Sequence, residues 1–121
     1  MHEYADVHIY WLTPAEGGRG TPLHTDPGGG VLYRPHFRVG PRGEYLGVQF
    51  AAGEPPVVAP GGEGRATVWL MYADNGVDYR PLAPGASFEV LEGARVVGRG
   101  TVRRRYAAPG GAPPGPRAPA A

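Results

Sequence analysis

Glycine and proline restrict this chain more than any other feature. They supply 21 and 15 of its 121 residues, a content that keeps a chain unpacked when it is spread evenly. Here it is not spread evenly. The two residues gather in short clusters, and the segments between are rich in Val, Tyr, Phe, Trp and Thr. Both residues weaken helix and sheet interiors, so a chain punctuated this often has room for short strands and turns. No segment carries a sustained 3.6-residue apolar period, which predicts an all-β fold without a substantial helix.

Six segments read as strands: residues 5–12, 33–39, 44–51, 65–73, 87–91 and 95–106. In the first, Val7, Ile9 and Trp11 alternate with Asp6, His8 and Tyr10. In the second, Tyr33, Pro35, Phe37 and Val39 share a face, and Pro35 sets the segment at an edge, a bulge or a strand entrance because it has no N–H to donate. In the fourth, Ala66, Val68, Leu70 and Tyr72 face one way; in the fifth, Phe88 and Val90 oppose Ser87, Glu89 and Leu91. Turn clusters stand at 40–43, 59–64, 73–76, 83–86 and 92–94. This pattern predicts a six-stranded antiparallel β-barrel over residues 1–106, closed so that no edge invites aggregation. Residues 107–121, "AAPGGAPPGPRAPAA", have no apolar side chain beyond Ala and Pro and read as a disordered tail of polyproline II character.

Composition excludes several functions. With no cysteine there is no disulfide framework and no thiolate zinc site. The start, "MHEYADVHIYW", is not a secretory signal, and no run reaches the ~18 apolar residues of a membrane helix, so the expected home is cytoplasmic. All 12 basic residues are arginine, and without lysine no P-loop exists. Residues 1–94 hold six arginines and all 11 acids, net −5; residues 95–121 hold six arginines and no acid, net +6. A basic C-terminal segment can attract polyanions, although the two halves can equally neutralise each other in the fold.

Three motifs compete for a chemical role. The glycines from Glu16 to Val39 lead into Thr-Pro, a second glycine run and a strand, whereas a phosphate-cradling loop needs a following helix. They are read as a joint between strands, and no nucleotide is expected. His24 and Asp26 could supply two ligands to a metal with His8 or His36, but no ligand spacing requires it. Ser87, the single serine, sits mid-strand without a nucleophile elbow. No catalytic residue, metal or cofactor is therefore expected. In the last strand, strict alternation puts Arg95, Arg99, Arg103 and Arg105 on one face with Val97 and Thr101, while Arg104 interrupts the apolar face. Such a row can follow a nucleic-acid backbone or pair with acids such as Glu89 on neighbouring strands.

Three ordered stretches, "EGGRGTP" at 16–22, "YRPHFRV" at 33–39 and "FEVLEGARVVGRGTV" at 88–102, resemble the C-terminal β-barrel, domain III, of bacterial elongation factor Tu. The resemblance covers roughly residues 5–104, including a Pro-Gly turn at 59–62. It implies a six-stranded antiparallel barrel that packs against a GTPase domain and helps hold the T-stem of aminoacyl-tRNA. The chain departs from the pattern in three ways. The GTPase and middle domains have no counterpart. His36 stands where bacterial factors usually carry glutamine, at a surface that would face the GTPase domain. The connection from Leu23 to Leu32 is several residues longer, and its "DPGGG" reads as a flexible extension. The expectation is a non-catalytic, free-standing interaction barrel with a protein partner, or alternatively RNA. The expected contact residues are Arg19, Arg34, His36, Arg95, Arg99, Arg103 and Arg105.

Overall fold

The computed structural model describes residues 1–110; residues 111–121, most of the expected tail, lie outside the described residues. The strands are β1 (His2–Trp11), β2 (Leu23–His24), β3 (His36–Arg38), β4 (Leu46–Glu54), β5 (Val57–Val58), β6 (Glu63–Leu70), β7 (Ser87–Glu92) and β8 (Arg95–Ala108). Six of them close into an antiparallel barrel in the order β1-β6-β4-β3-β7-β8, sealed where β8 returns to β1. Among the described residues the helical elements are three short 3-10 turns, at Pro14–Glu16, Pro27–Gly29 and Ala73–Asn75.

Alternation places the core. Val7, Ile9 and Trp11 of β1, Phe37 of β3, Val48 and Phe50 of β4, Val68 and Leu70 of β6, and Phe88 and Val90 of β7 are all buried and meet on the barrel axis. Each such side chain contributes about 1.5–3 kcal/mol by leaving water. Pro35 stands at a strand entrance. It immediately precedes β3, and its carbonyl accepts from the Val48 amide at 3.2 Å, while Tyr33 accepts from Phe50 at 2.9 Å. The segment from Tyr33 thus follows β4 before regular pairing begins.

All six strands differ from the sequence reading at one or both ends, and four differences matter. β6 ends at Leu70, so Tyr72 leaves the inward face and caps the Ala73–Asn75 turn, 46% exposed. Leu91 is fully buried but outside the main core cluster. β8 continues to Ala108, with Ala107 opposite Glu3 and Ala108 opposite His2. The extension after Leu23 is tied down. β2 pairs with β5 as a separate two-stranded sheet, and the buried Thr25 hydroxyl donates to the Pro55 carbonyl at 2.9 Å. Asp26 accepts from the amides of Gly28 at 3.0 Å and Gly53 at 3.1 Å. Glycine there enables a capped 3-10 turn, with Gly30 at φ 81°, rather than a loose loop.

Large rings lie across β8 because two of its residues lack a Cβ. The Phe37 and Phe88 rings stack at 4.1 Å between centroids. A Cβ on Gly100 would sit 2.5 Å from Phe88 Cζ and 2.7 Å from the His8 carbonyl oxygen; one on Gly98 would sit 3.0 Å from Trp11 Cε3. Gly100→Ala should therefore overpack the barrel and cost about 1–3 kcal/mol in denaturant unfolding. Gly20→Ala, whose Cβ meets nothing within 4 Å, should stay within about 0.5 kcal/mol of the parent. Equal stability of both variants would remove the ring-over-glycine account.

Candidate interaction surface

The expected single stripe of arginines on β8 is broken by two β-bulges. Against β7, the register passes from Val90↔Gly98 to Leu91↔Val96, leaving Val97 extra and buried in the core with Gly98. Against β1, it passes from Val7↔Val102 to Asp6↔Arg104, leaving Arg103 extra and exposed. A one-residue bulge exchanges the faces of everything beyond it. Arg104, which strict alternation would turn toward the core, emerges beside Asp6, donating from Nε to Oδ2 at 2.9 Å. Thr67 and Tyr106 hydroxyls donate to the other oxygen of this mostly buried carboxylate at 2.7 and 3.1 Å. Arg105 is exchanged the opposite way. It leaves the stripe and binds the carbonyls of Tyr79 and Leu82, both at 3.1 Å, and Glu3 at 2.8 Å. Arg105 thus fastens the barrel end.

Arg19 is likewise engaged. Its Nη1 donates to Glu92 at 2.9 Å, and the Tyr33 hydroxyl donates to the same oxygen at 2.6 Å. This cluster ties the first glycine loop to the β7–β8 hairpin, which carries Arg95 opposite Glu92 in register. Arg34 is exposed and donates to Gln49 at 2.8 Å. Arg95, Arg99 and Arg103 are exposed, and none of them makes an ion pair with a carboxylate among the described residues. The structure therefore does not gather the seven expected contact residues into one site.

It does build an aromatic surface around His36. The His36 and Tyr45 rings lie 5.7 Å apart, and Arg38 sits over the Tyr45 ring at 5.7 Å. Tyr72 completes the group by lying over Gly47, the register partner of His36; a Cβ on Gly47 would be 2.7 Å from its ring. Tyr79 supports this arrangement from below, donating its hydroxyl to the Gly47 carbonyl at 2.6 Å and accepting from the Tyr72 amide at 3.2 Å. Tyr45 and Tyr72 are 45% and 46% exposed. Sequence reasoning missed both. Tyr72 follows the inward phase of its strand, and Tyr45 lies in the segment 44–51, read as a strand without a contact role.

The metal and nucleophile motifs do not assemble. Asp26 commits both oxygens to backbone amides, and His24 is exposed on β2. No group of three His, Asp or Glu side chains that could hold a metal occurs among the described residues. Ser87, His8 and Glu63 do line one groove, yet Ser87 and His8 both pair with Thr101 from opposite sides. Two strand spacings separate them, ~9.5 Å, beyond the reach of proton transfer.

No family model matches the chain. It is 39% identical over 96 residues to "Elongation factor Tu 2" of Streptomyces avermitilis, a match covering 79% of this chain and 21% of that protein. The chain thus spans about a fifth of that relative's length. The closed six-stranded antiparallel barrel is the architecture that the resemblance to domain III implied.

Burial, and then the Glu92 carboxylate, push the Tyr33 phenol well above its ordinary value of 10.0. The associated stability is fully present below pH 10 and is lost as the pH rises beyond it, because the unfolded chain gives up this proton first. The denaturant midpoint of the parent should fall more steeply above pH 10 than that of Tyr33→Phe, which also loses about 1 kcal/mol at neutral pH with its hydrogen bond. Identical slopes would show that Tyr33 is not held neutral by the fold.

Proposed function

We propose that this elongation factor Tu-like β-barrel is a non-catalytic interaction module and that it docks a protein, specifically a GTPase domain of the elongation factor Tu type. The observation that carries this reading is the outward surface of His36, Tyr45 and Tyr72. It lies on the side that the resemblance turns toward the GTPase domain. Exposed rings beside a single arginine are the composition of protein contact surfaces, where aromatic and Arg side chains are enriched and other charges sparse. The barrel interior is packed with side chains and offers no space for a nucleotide.

RNA binding is the second reading, favoured by the unpaired Arg95, Arg99 and Arg103. The bulges that break their row weaken it, as does the formal net charge of only +1. Titration calorimetry against a fragment of the Streptomyces relative containing its GTPase and middle domains tests the first reading. Binding is expected, and His36→Asp with Tyr45→Ala should weaken it at least about tenfold, ~1.4 kcal/mol, without lowering the thermal midpoint. Bulk tRNA at two salt concentrations tests the second. Affinity for tRNA that falls steeply with salt and drops on Arg99→Glu with Arg103→Glu, together with no affinity for the fragment, would reverse the order of the two readings.

A further inference from the structure

A concavity on the barrel wall lies beside the docking surface around His36, with Arg38 bordering both. It is an open groove of about 610 Å³ on the outer wall, built by two cross-strand rows. The first row runs Glu63, Tyr10, Arg99, Glu89 and Arg38 across β6, β1, β8, β7 and β3; the second sets His8, Thr101 and Ser87 side by side across β1, β8 and β7. Side chains directly opposite in register stand about 5 Å apart, so the three hydrogen-bonding groups of the second row form a continuous ledge beside Arg99.

Charge accounting singles out Arg99. Its register partner Glu89 is taken by Arg38 at 2.8 Å. Glu16, whose charge it also feels, accepts from the Thr13 amide at 2.9 Å and from the Tyr10 hydroxyl at 2.6 Å. Glu63 lies 3.9 Å from His8. Glu89 and Glu16 are thus engaged elsewhere, and Arg99 makes no ion pair among the described residues. A guanidinium without a counter-ion, next to Ser and Thr hydroxyls and an imidazole in a concavity, matches the tetrahedral oxyanion of a phosphate group, which takes several charge-assisted donors at once.

We propose that this groove is a phosphate-binding seat, with Arg99 as the charged contact, Ser87 and Thr101 as hydroxyl donors and His8 at its rim. The groove is larger than one phosphate, so the group arrives on a larger polar ligand, either a phosphorylated small molecule or the backbone of a nucleic acid.

The test is a titration of the full chain with inorganic phosphate at constant ionic strength, followed by amide and side-chain NMR with chloride as the control. Saturable shifts are expected, with a midpoint on the order of 1 mM, confined to His8, Ser87 and residues 99–101. Arg99→Gln should weaken binding at least about tenfold, while Arg95→Gln and the His36→Asp variant leave it unchanged; the latter separates this site from the docking surface. Should Arg99→Gln disturb the fold, Ser87→Ala provides the second readout, with a loss of about threefold expected. Glycerol phosphate reproducing the shifts, without competition from tRNA, identifies a small ligand. Competition by tRNA that is lost in Arg99→Gln identifies a nucleic-acid backbone. Shifts that do not saturate, that appear equally with chloride, or that are as large at Arg95 and Arg103 as at Arg99 overturn the proposal.

Discussion

The seam between β1 and β8 carries the barrel, and the Asp6–Arg104 pair sets its register. A sheet closes only if its last strand meets its first in one definite alignment, because a one-residue slip turns every core side chain outward. β8 is the longest strand and the most highly charged. In uninterrupted alternation it would drive Arg104 into the core. The bulge at Arg103 avoids that outcome, and Asp6, itself held by the Thr67 and Tyr106 hydroxyls, receives Arg104 on the outer wall. An alignment that takes Arg104 away would leave the mostly buried Asp6 carboxylate without its counter-charge, which makes slipped alignments costly as well as the native one favourable.

The same device decides which arginines are free. Beyond the bulge, Arg105 is turned to the barrel end, where carbonyls of the 79–82 segment and Glu3 accept from its guanidinium. Before the bulge, Arg99 stays outward opposite Glu89, which Arg38 has already taken. Closure, electrostatic pairing and surface chemistry are therefore one problem on β8. The aromatic surface near His36 depends on closure differently. Gly47 gives Tyr72 its place, and Tyr79 bridges the two from beneath.

The fold was more legible in the sequence than the surface was. Inward phases such as Val7-Ile9-Trp11 and Phe88-Val90 could be read directly, because a period of two is written in consecutive residues. The stripe of Arg95, Arg99, Arg103 and Arg105 was misread because a bulge leaves no local mark: it arises where two strands of different phase must both bury their apolar sides. The "DPGGG" segment was misread for a similar reason. Asp26 finds the amide of Gly53, a partner far along the chain, and that bond makes a glycine run into an ordered turn.

By itself the sequence determined the all-β class, the antiparallel six-stranded barrel, the core alternation and the likeness to elongation factor Tu. These depend on local φ preferences and on the order of polar and apolar residues, both of which are properties of neighbours in the chain. Only the tertiary structure decided which arginines became fastenings and which remained free, that Tyr45 and Tyr72 join His36, and that Ser87, Thr101 and His8 share a ledge with Arg99. Those outcomes depend on register between strands up to about a hundred residues apart, and register is settled when the barrel closes and every buried charge must find its partner.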